Sequence, residues 1–258
     1  MNPSRLAALL ILAASTACGS ETTAPTPPPP PPADQAAVYT ASGNITAAVD
    51  SFRNLLGPSN GGTAGEQATG RREISWDGAG ANPFNNKNNF PPDFFNTTVR
   101  SGAVFTTDGL GFRNDSLLFA EVNPNYPAQF AFFSATKVFT PVGSNLLDVL
   151  FEVAGQPTPA SVNGFGIVFS DVDVADKTTI ELFGTNGASL GVYSAPVRTD
   201  AAGLSFLAVK FESTRILRVR VTLGTGALGA GVNDISAGGT LDLVVFDNLV
   251  FGEPRKAF

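Results

Sequence analysis

The chain has 258 residues and a formal net charge of −6; 43% of its residues are apolar and 15% charged. That balance supplies a sizeable core and excludes a disordered chain, and the acidic surplus argues against a nucleic-acid partner, which would need a basic footprint. The absence of histidine excludes Ser-His-Asp and Cys-His catalysis and histidine zinc sites, and the lone cysteine excludes an intramolecular disulfide and CxxC metal sites.

The chain opens MNPSRLAALLILAASTAC, a basic start at Arg5 followed by an apolar run from Leu6 to Ala14 and then small residues. This is the plan of a secretory signal, with an apolar run too short to span a bilayer. One reading is an ordinary signal cleaved at a small-residue site, with Cys18 incidental and the protein secreted. The other rests on Ser15-Thr16-Ala17-Cys18, which resembles the lipobox of bacterial lipoproteins, although Ser15 stands where that family usually has leucine. The resemblance implies that Cys18 is lipidated and becomes the first residue of the mature chain, so the membrane is a partner. Gly19 in place of aspartate resembles the outer-membrane sorting pattern. Each buried methylene contributes about 0.8 kcal/mol, so several acyl chains hold durably where one does not. Pro27 to Pro32 then form an unbroken run, which takes the extended polyproline II form and acts as a spacer. The expected division is a signal peptide over 1–17, a lipidated cysteine with a proline-rich linker over 18–36, and a folded domain over 37–258.

The first element of that domain is a short helix. ITAAVDSFRNLLG places Ile45, Val49, Phe52, Leu55 and Leu56 at helical spacing, and Gly57-Pro58 stops it. Strand patterns dominate afterwards. REISWDG, LLDVLFEV, LAVKFES and ILRVRVTL alternate apolar and polar residues, as half-buried antiparallel strands do. GFGIVFSDV and DLVVFDNLVF are apolar on both faces, as central strands are. Asn186-Gly187 marks a hairpin turn. Many short strands with glycine, asparagine and proline turns predict an all-β, jelly-roll-like antiparallel β-sandwich with one short N-terminal helix.

RREISWDG, NFPPDFFNTTVRSGAVFTTDGLGF, VNGFGIVFSDVD, GLSFLAVKFES and DLVVFDNLVFGEP resemble, in that order, landmarks of a β-sandwich domain common in bacterial exported proteins, many of which carry a PEP-CTERM sorting tail. The resemblance covers roughly Ala47 to Pro254. The chain ends GEPRKAF without such a tail, so the lipid anchor would take its place. The resemblance implies a fold and a surface address; that family has no established activity.

Four stretches invite chemistry. FSDVDVADKT sets Asp171 and Asp173 two apart, on one face of an extended segment, with Asp176 following. Hard oxygen ligands converging at a strand end suit calcium, although the spacing is not that of an EF-hand loop. The competing reading is a strand end whose aspartates accept backbone N–H bonds. Asp247 interrupts an apolar strand, and a buried carboxylate must be paired, hydrogen-bonded or bound to a cation; it and Asp242 are further calcium candidates. Jelly-roll carbohydrate-binding modules often end in a similar aspartate-bearing strand with a structural calcium nearby. NPFNNKNNFPPDFFNTT offers Asn85, Asn86, Asn88 and Asn89 to sugar hydroxyls, with Phe84 or Phe90 to pack on a ring; the competing reading is a long loop whose phenylalanines plug the core. With three tyrosines and one tryptophan, the chain is poor in the usual sugar platforms. Gly224-Thr225-Gly226-Ala227-Leu228-Gly229 matches a dinucleotide fingerprint in spacing alone, because no helix pattern follows it.

The local carboxylate pairs Glu73/Asp77 and Asp148/Glu152 would stand about 13 Å apart along a strand, beyond the roughly 5–9.5 Å of glycosidase pairs. The sequence therefore leads to a non-catalytic surface lipoprotein, with a polysaccharide and calcium as the ligands to test. A structural or assembly protein of the envelope or matrix and a carboxylate-dependent glycoside hydrolase are the alternatives.

Overall fold

A computed structural model describes residues 35–77, 83–200, 202–213 and 215–257. The signal segment, Cys18 and the proline run lie outside the described residues.

Two antiparallel sheets make up the domain. The larger runs in the order β1 (Ala37–Ser42), β11 (Leu204–Lys210), β8 (Gly164–Ser170), β13 (Val245–Gly252), β5 (Val138–Val142) and β4 (Gly111–Asp115), and β2 (Arg71–Ile74) also pairs with β13. The smaller runs β10 (Ser189–Ser194), β9 (Thr179–Gly184), β12 (Ile216–Thr222), β6 (Leu146–Phe151) and β3 (Ala103–Thr106). A short pair, β7 (Ala160–Ser161) with β14 (Arg255–Lys256), stands apart. The chain passes from one sheet to the other between β2 and β3, β3 and β4, β5 and β6, β6 and β8, β8 and β9, β10 and β11, β11 and β12, and β12 and β13. The all-β sandwich expected from the strand patterns is the observed architecture.

Between the sheets lies an apolar core. Phe165, Ile167, Phe169, Leu207, Val209, Phe246 and Phe251 face it from the larger sheet; Phe105, Leu147, Val149, Phe151, Ile180, Leu182, Val219 and Val221 face it from the smaller. Trp76 is part of this core, stacked on Phe139 at 3.8 Å between ring centroids, and its indole N–H donates to the Asp247 carbonyl at 2.7 Å.

The two sheets differ in what covers their outer faces. On the larger, helix α1 (Thr46–Leu56) lays Val49, Phe52 and Leu56 against Val168, Phe206, Ala208 and Val250. Leu55, placed on the buried stripe by its spacing, is instead 44% exposed. Glycine in β8 makes this packing possible: a Cβ on Gly166 would stand 3.0 Å from the Phe52 ring. A second outer cluster, Phe119, Tyr126 and Phe130, packs on Val138, Leu243 and Val245. Strands β8 and β13 are therefore buried at every position, which is why their sequences are apolar on both faces. The smaller sheet has no such cover among the described residues, and β6 and β9 alternate strictly between half-buried and buried residues.

The β9–β10 hairpin turns through Asn186-Gly187 as expected, with Gly187 at φ 76° and its N–H bonded to the Gly184 carbonyl at 2.9 Å. The short helix α2 (Phe94–Thr97) was not legible as a helix in the asparagine-rich stretch.

Candidate functional site

Three of the crossings between the sheets meet at one rim. The β8–β9 connection leaves the larger sheet after Ser170, the β10–β11 connection returns to it, and the β12–β13 connection returns beside it. They are stitched by backbone bonds from Asp171 N to Gly203 O (2.9 Å) and from Arg198 N to Val172 O (2.7 Å). Asp242 binds the third connection to the first, its two carboxylate oxygens accepting the N–H groups of Asp173 (3.1 Å) and Val174 (3.3 Å).

Ligand atoms of Asp171, Asp173 and Asp234 converge here, all within 4.8 Å of one another. Asp171 ends the strand in the left-handed conformation, φ 71°, which aspartate tolerates better than most residues. The expected route was an extended segment with period two. The structure brings Asp171 and Asp173 together instead by breaking that period at Asp171. Asp234 caps a single 3-10 turn, Ile235–Ala237: its Oδ1 accepts the Ser236 N–H at 2.7 Å and its Oδ2 the Leu243 N–H at 2.7 Å. Asp234 was not among the residues the sequence singled out, and nothing local connected it to Asp171.

Charge is unbalanced in this cluster. Burial pushes the Asp171 carboxyl up to about 8, and Asp234, Asp173, Asp242 and Asp200 add to the effect. Burial and the adjoining Asp234 carboxyl push Asp173 to about 6. Burial also raises Asp242, against the two backbone N–H bonds it accepts. Every charge acting on Asp171 and Asp173 in this way is another carboxylate; Arg198, on the neighbouring connection, is ion-paired to Asp200. Asp173 opens onto a surface depression of about 250 Å³, bordered by Val174, Thr199, Ile235 and Ser236.

Two of the aspartates expected here lie elsewhere. Asp176 is exposed in the following turn and outside the cluster. Asp247 belongs to a separate buried site in β13, where its Oδ2 accepts the N–H groups of Phe133 (2.7 Å) and Ser134 (3.0 Å) and its Oδ1 lies 3.0 Å from the Ser134 hydroxyl. The bulge in the β13–β8 register between Phe246 and Leu249 accommodates this polar pair of residues, Asp247 and Asn248, inside an apolar strand.

The asparagine-rich stretch resolves toward structure. Phe90 is buried in the aromatic core against Trp76, Phe94 and Phe139 and offers no ring to solvent. Asn85 donates to the Ser116 hydroxyl, and Asn86 Oδ1 accepts the Ser116 N–H at 2.8 Å, so both are used to fasten the loop. Asn88 Oδ1 lies 3.4 Å from the Arg113 guanidinium and borders a pocket of about 260 Å³ with Phe119, Thr140 and Leu228.

The outer face of the smaller sheet is a second surface with site character. The cross-strand pairings line up two rows on it. One runs Val192, Glu181, Arg220, Asp148, Thr106; the next runs Ser189, Phe183, Arg218, Leu150, Val104. Asp148 accepts from Arg218 (3.0 Å) and from Arg220 (3.0 Å) together. The Arg218 guanidinium lies 3.7 Å from the centre of the Phe183 ring. Beside it is a mainly apolar pocket of about 220 Å³, lined by Leu150, Pro159, Phe183 and Leu217 among others.

No family model matches the chain, and no curated protein matches it. A solved structure of a two-domain protein with unknown function from Bacteroides fragilis NCTC 9343 is similar to it at 12% identity and a TM-score of 0.27, over 60% of this chain and 46% of that one. The chain thus spans less than half the length of that protein.

Proposed function

We propose that the protein is a non-catalytic binding module of the bacterial cell envelope, tethered by lipid at Cys18 and taking an extended, uncharged polysaccharide across the outer face of its smaller sheet. The observation that supports this reading is the pair of rows on that face. The polar row carries its own neutralisation, because Asp148 engages both arginines and Glu181 stands opposite Arg220. Such a surface has little net charge to draw an ionic ligand, yet it keeps many donors and acceptors. The adjacent row adds the apolar side chains of Phe183, Leu150 and Val104 alongside, with the Arg218 guanidinium stacked on the Phe183 ring. Hydroxyl groups on one side and ring C–H faces on the other are the chemistry of a neutral sugar polymer.

Affinity electrophoresis of the full chain through gels containing neutral polysaccharides tests the reading. One of them should retard the protein, and Phe183→Ala should weaken that binding about tenfold, equivalent to roughly 1.4 kcal/mol. No retardation by any neutral polymer, or an unchanged Phe183→Ala, would sink it. The tether has its own test: Cys18→Ser should release the protein from membranes with its melting temperature intact, and membrane association that survives the substitution would remove the lipid anchor. An assembly role is favoured by strand β1, which pairs only with β11 among the described residues and exposes Val38 and Tyr39; a stoichiometric protein partner recovered with the chain would support it over the glycan reading.

A further inference from the structure

We propose that Asp171, Asp173 and Asp234 bind one calcium ion, which ties together the three connections that cross between the sheets at this rim. Apart from Asp171, the buried carboxylates all have donors. Asp115 is held by Arg113 and by the N–H groups of Leu117 and Phe119. Glu253 is held by Arg72 through two bonds, with Asn60 and the Gln67 N–H beside it. Asp234, Asp242 and Asp247 accept the backbone bonds described above. Asp171 is as buried as any of them, with no exposed surface, and neither of its carboxylate oxygens has a partner among the described residues. Both oxygens of half-buried Asp173, directed into the same place, find no donor group among the described residues and have only the Asp234 carboxyl beside them. A buried carboxylate without a donor is costly, and protonation alone does not satisfy four orphaned oxygen atoms. A cation does.

The donor set identifies the ion. All three groups are hard carboxylate oxygens, and no histidine or cysteine thiolate is at hand to select a transition metal. Asp234 Oδ2 accepts only the Leu243 N–H and keeps a lone pair for an ion. The ligands come from two separate connections and are not arranged by one regular element, which suits the irregular six- to eight-fold shell of calcium better than the strict octahedron of magnesium. The depression beside Asp173 adjoins the cluster on its solvent side. The β10–β11 connection is drawn in through its bonds to the β8–β9 connection, from Asp171 N to Gly203 O and from Arg198 N to Val172 O.

The full chain, stripped of divalent metal with a chelator, should be titrated with calcium chloride by calorimetry and followed by thermal unfolding. The expected result is one equivalent bound with a Kd of about 10⁻⁴–10⁻³ M, the range of extracellular calcium modules, and a melting temperature that rises with calcium. Asp173→Asn should weaken binding at least about tenfold, because affinity follows the ligand charge count, and Asp171→Asn should abolish it. Without calcium, Asp173→Asn should melt no lower than the parent, since it removes one carboxylate from the acidic cluster, and Asp171→Asn should melt close to the parent, since burial already keeps that carboxyl neutral near pH 7. Asp247→Asn should keep the calcium response. The proposal is overturned if the parent shows neither heat nor a calcium-dependent shift, if magnesium raises the melting temperature as much as calcium, if Asp173→Asn responds like the parent, or if Asp247→Asn loses the response. Should Asp171→Asn fail to fold, Asp173→Asn decides the outcome by itself, because its side chain is half-buried and makes no hydrogen bond that folding would lose.

Discussion

Asp171 and Asp247 sit in the same kind of place and are treated differently. Each is fully buried and belongs to a central strand of the larger sheet or the residue directly after it, and burial is the leading cause that raises both carboxyls, to about 8 and about 7. Asp247 is enclosed by donors: two backbone N–H groups and the Ser134 hydroxyl. Asp171 is enclosed by acceptors. The first is a finished structural device, which pins Phe133 and Ser134 to β13 from the inside. The second is a device with a part left out. Burial and a displaced titration do not separate the two cases; the partner census does.

The largest effect that would test this contrast is truncation. Asp247→Ala leaves the N–H groups of Phe133 and Ser134 without an acceptor and should cost about 3 kcal/mol of unfolding free energy. In the absence of calcium, Asp171→Asn keeps the tolerance for φ 71°, removes no side-chain hydrogen bond found among the described residues, and should cost less than about 1 kcal/mol. Urea unfolding with an unchanged slope measures both. Equal losses at the two positions would mean that Asp171 has a partner that geometry does not reveal, and the contrast would collapse.

A smaller effect should appear in the pH dependence of Asp247. Its carboxyl titrates near 7 in the folded chain and near 4 in an unfolded one, chiefly through burial, with Asp77 adding repulsion. The folded state therefore holds the proton more tightly. The stabilisation is fully present below pH about 4 and is lost as pH rises toward 7, with a slope of at most about 1.4 kcal/mol per pH unit. Hydrogen-bond geometry gives the same answer: the Ser134 hydroxyl lies 2.7 Å from Asp77 Oδ2 and 3.0 Å from Asp247 Oδ1, and its single proton serves only one of them. A neutral Asp247 supplies the second proton. Asp247→Asn, which resembles the neutral form, should show no such slope, so the difference between variant and parent should widen from pH 4 to 7 and then level off. A constant difference would mean that Asp247 is ionised throughout.

How much of this was legible beforehand varied with distance along the chain. Helix α1 and the strands β6 and β12 could be read because their periodicity is local, and it is set by which face each element buries. The unbroken apolar runs of β8 and β13 announced burial on both faces, though not that α1 and the Phe119–Phe130 cluster provide the cover. In the asparagine-rich stretch the competing reading prevailed: Phe90 plugs the core, as a phenylalanine without a polar handle tends to do. Asp171 and Asp173 could be paired from their spacing, whereas Asp234 reaches them only because the β12–β13 connection folds back to the end of β8. Asp247 was a reasonable ligand by residue type and strand pattern. The donors that satisfy it come from Phe133 and Ser134, more than 100 residues earlier in the chain, and no local pattern shows them.

The smallest expected effect concerns the residue nearest the cluster in sequence. Asp176 stands in the turn directly after Asp173, in the left-handed conformation at φ 61°, with its side chain exposed. Asp176→Asn keeps the side chain's tolerance for that conformation and removes only the charge. Stability should stay within about 0.5 kcal/mol of the parent, as for most exposed substitutions, and calcium affinity should not change measurably. Proximity along the chain and negative charge are all that Asp176 shares with Asp173. If calorimetry found the Asp176 variant as weakened as Asp173→Asn, the ion would be held by the turn itself and not by the meeting of two connections. Asp234 would then have no part in it, and the unpartnered oxygens of Asp171 would lose the explanation that sets them apart from those of Asp247.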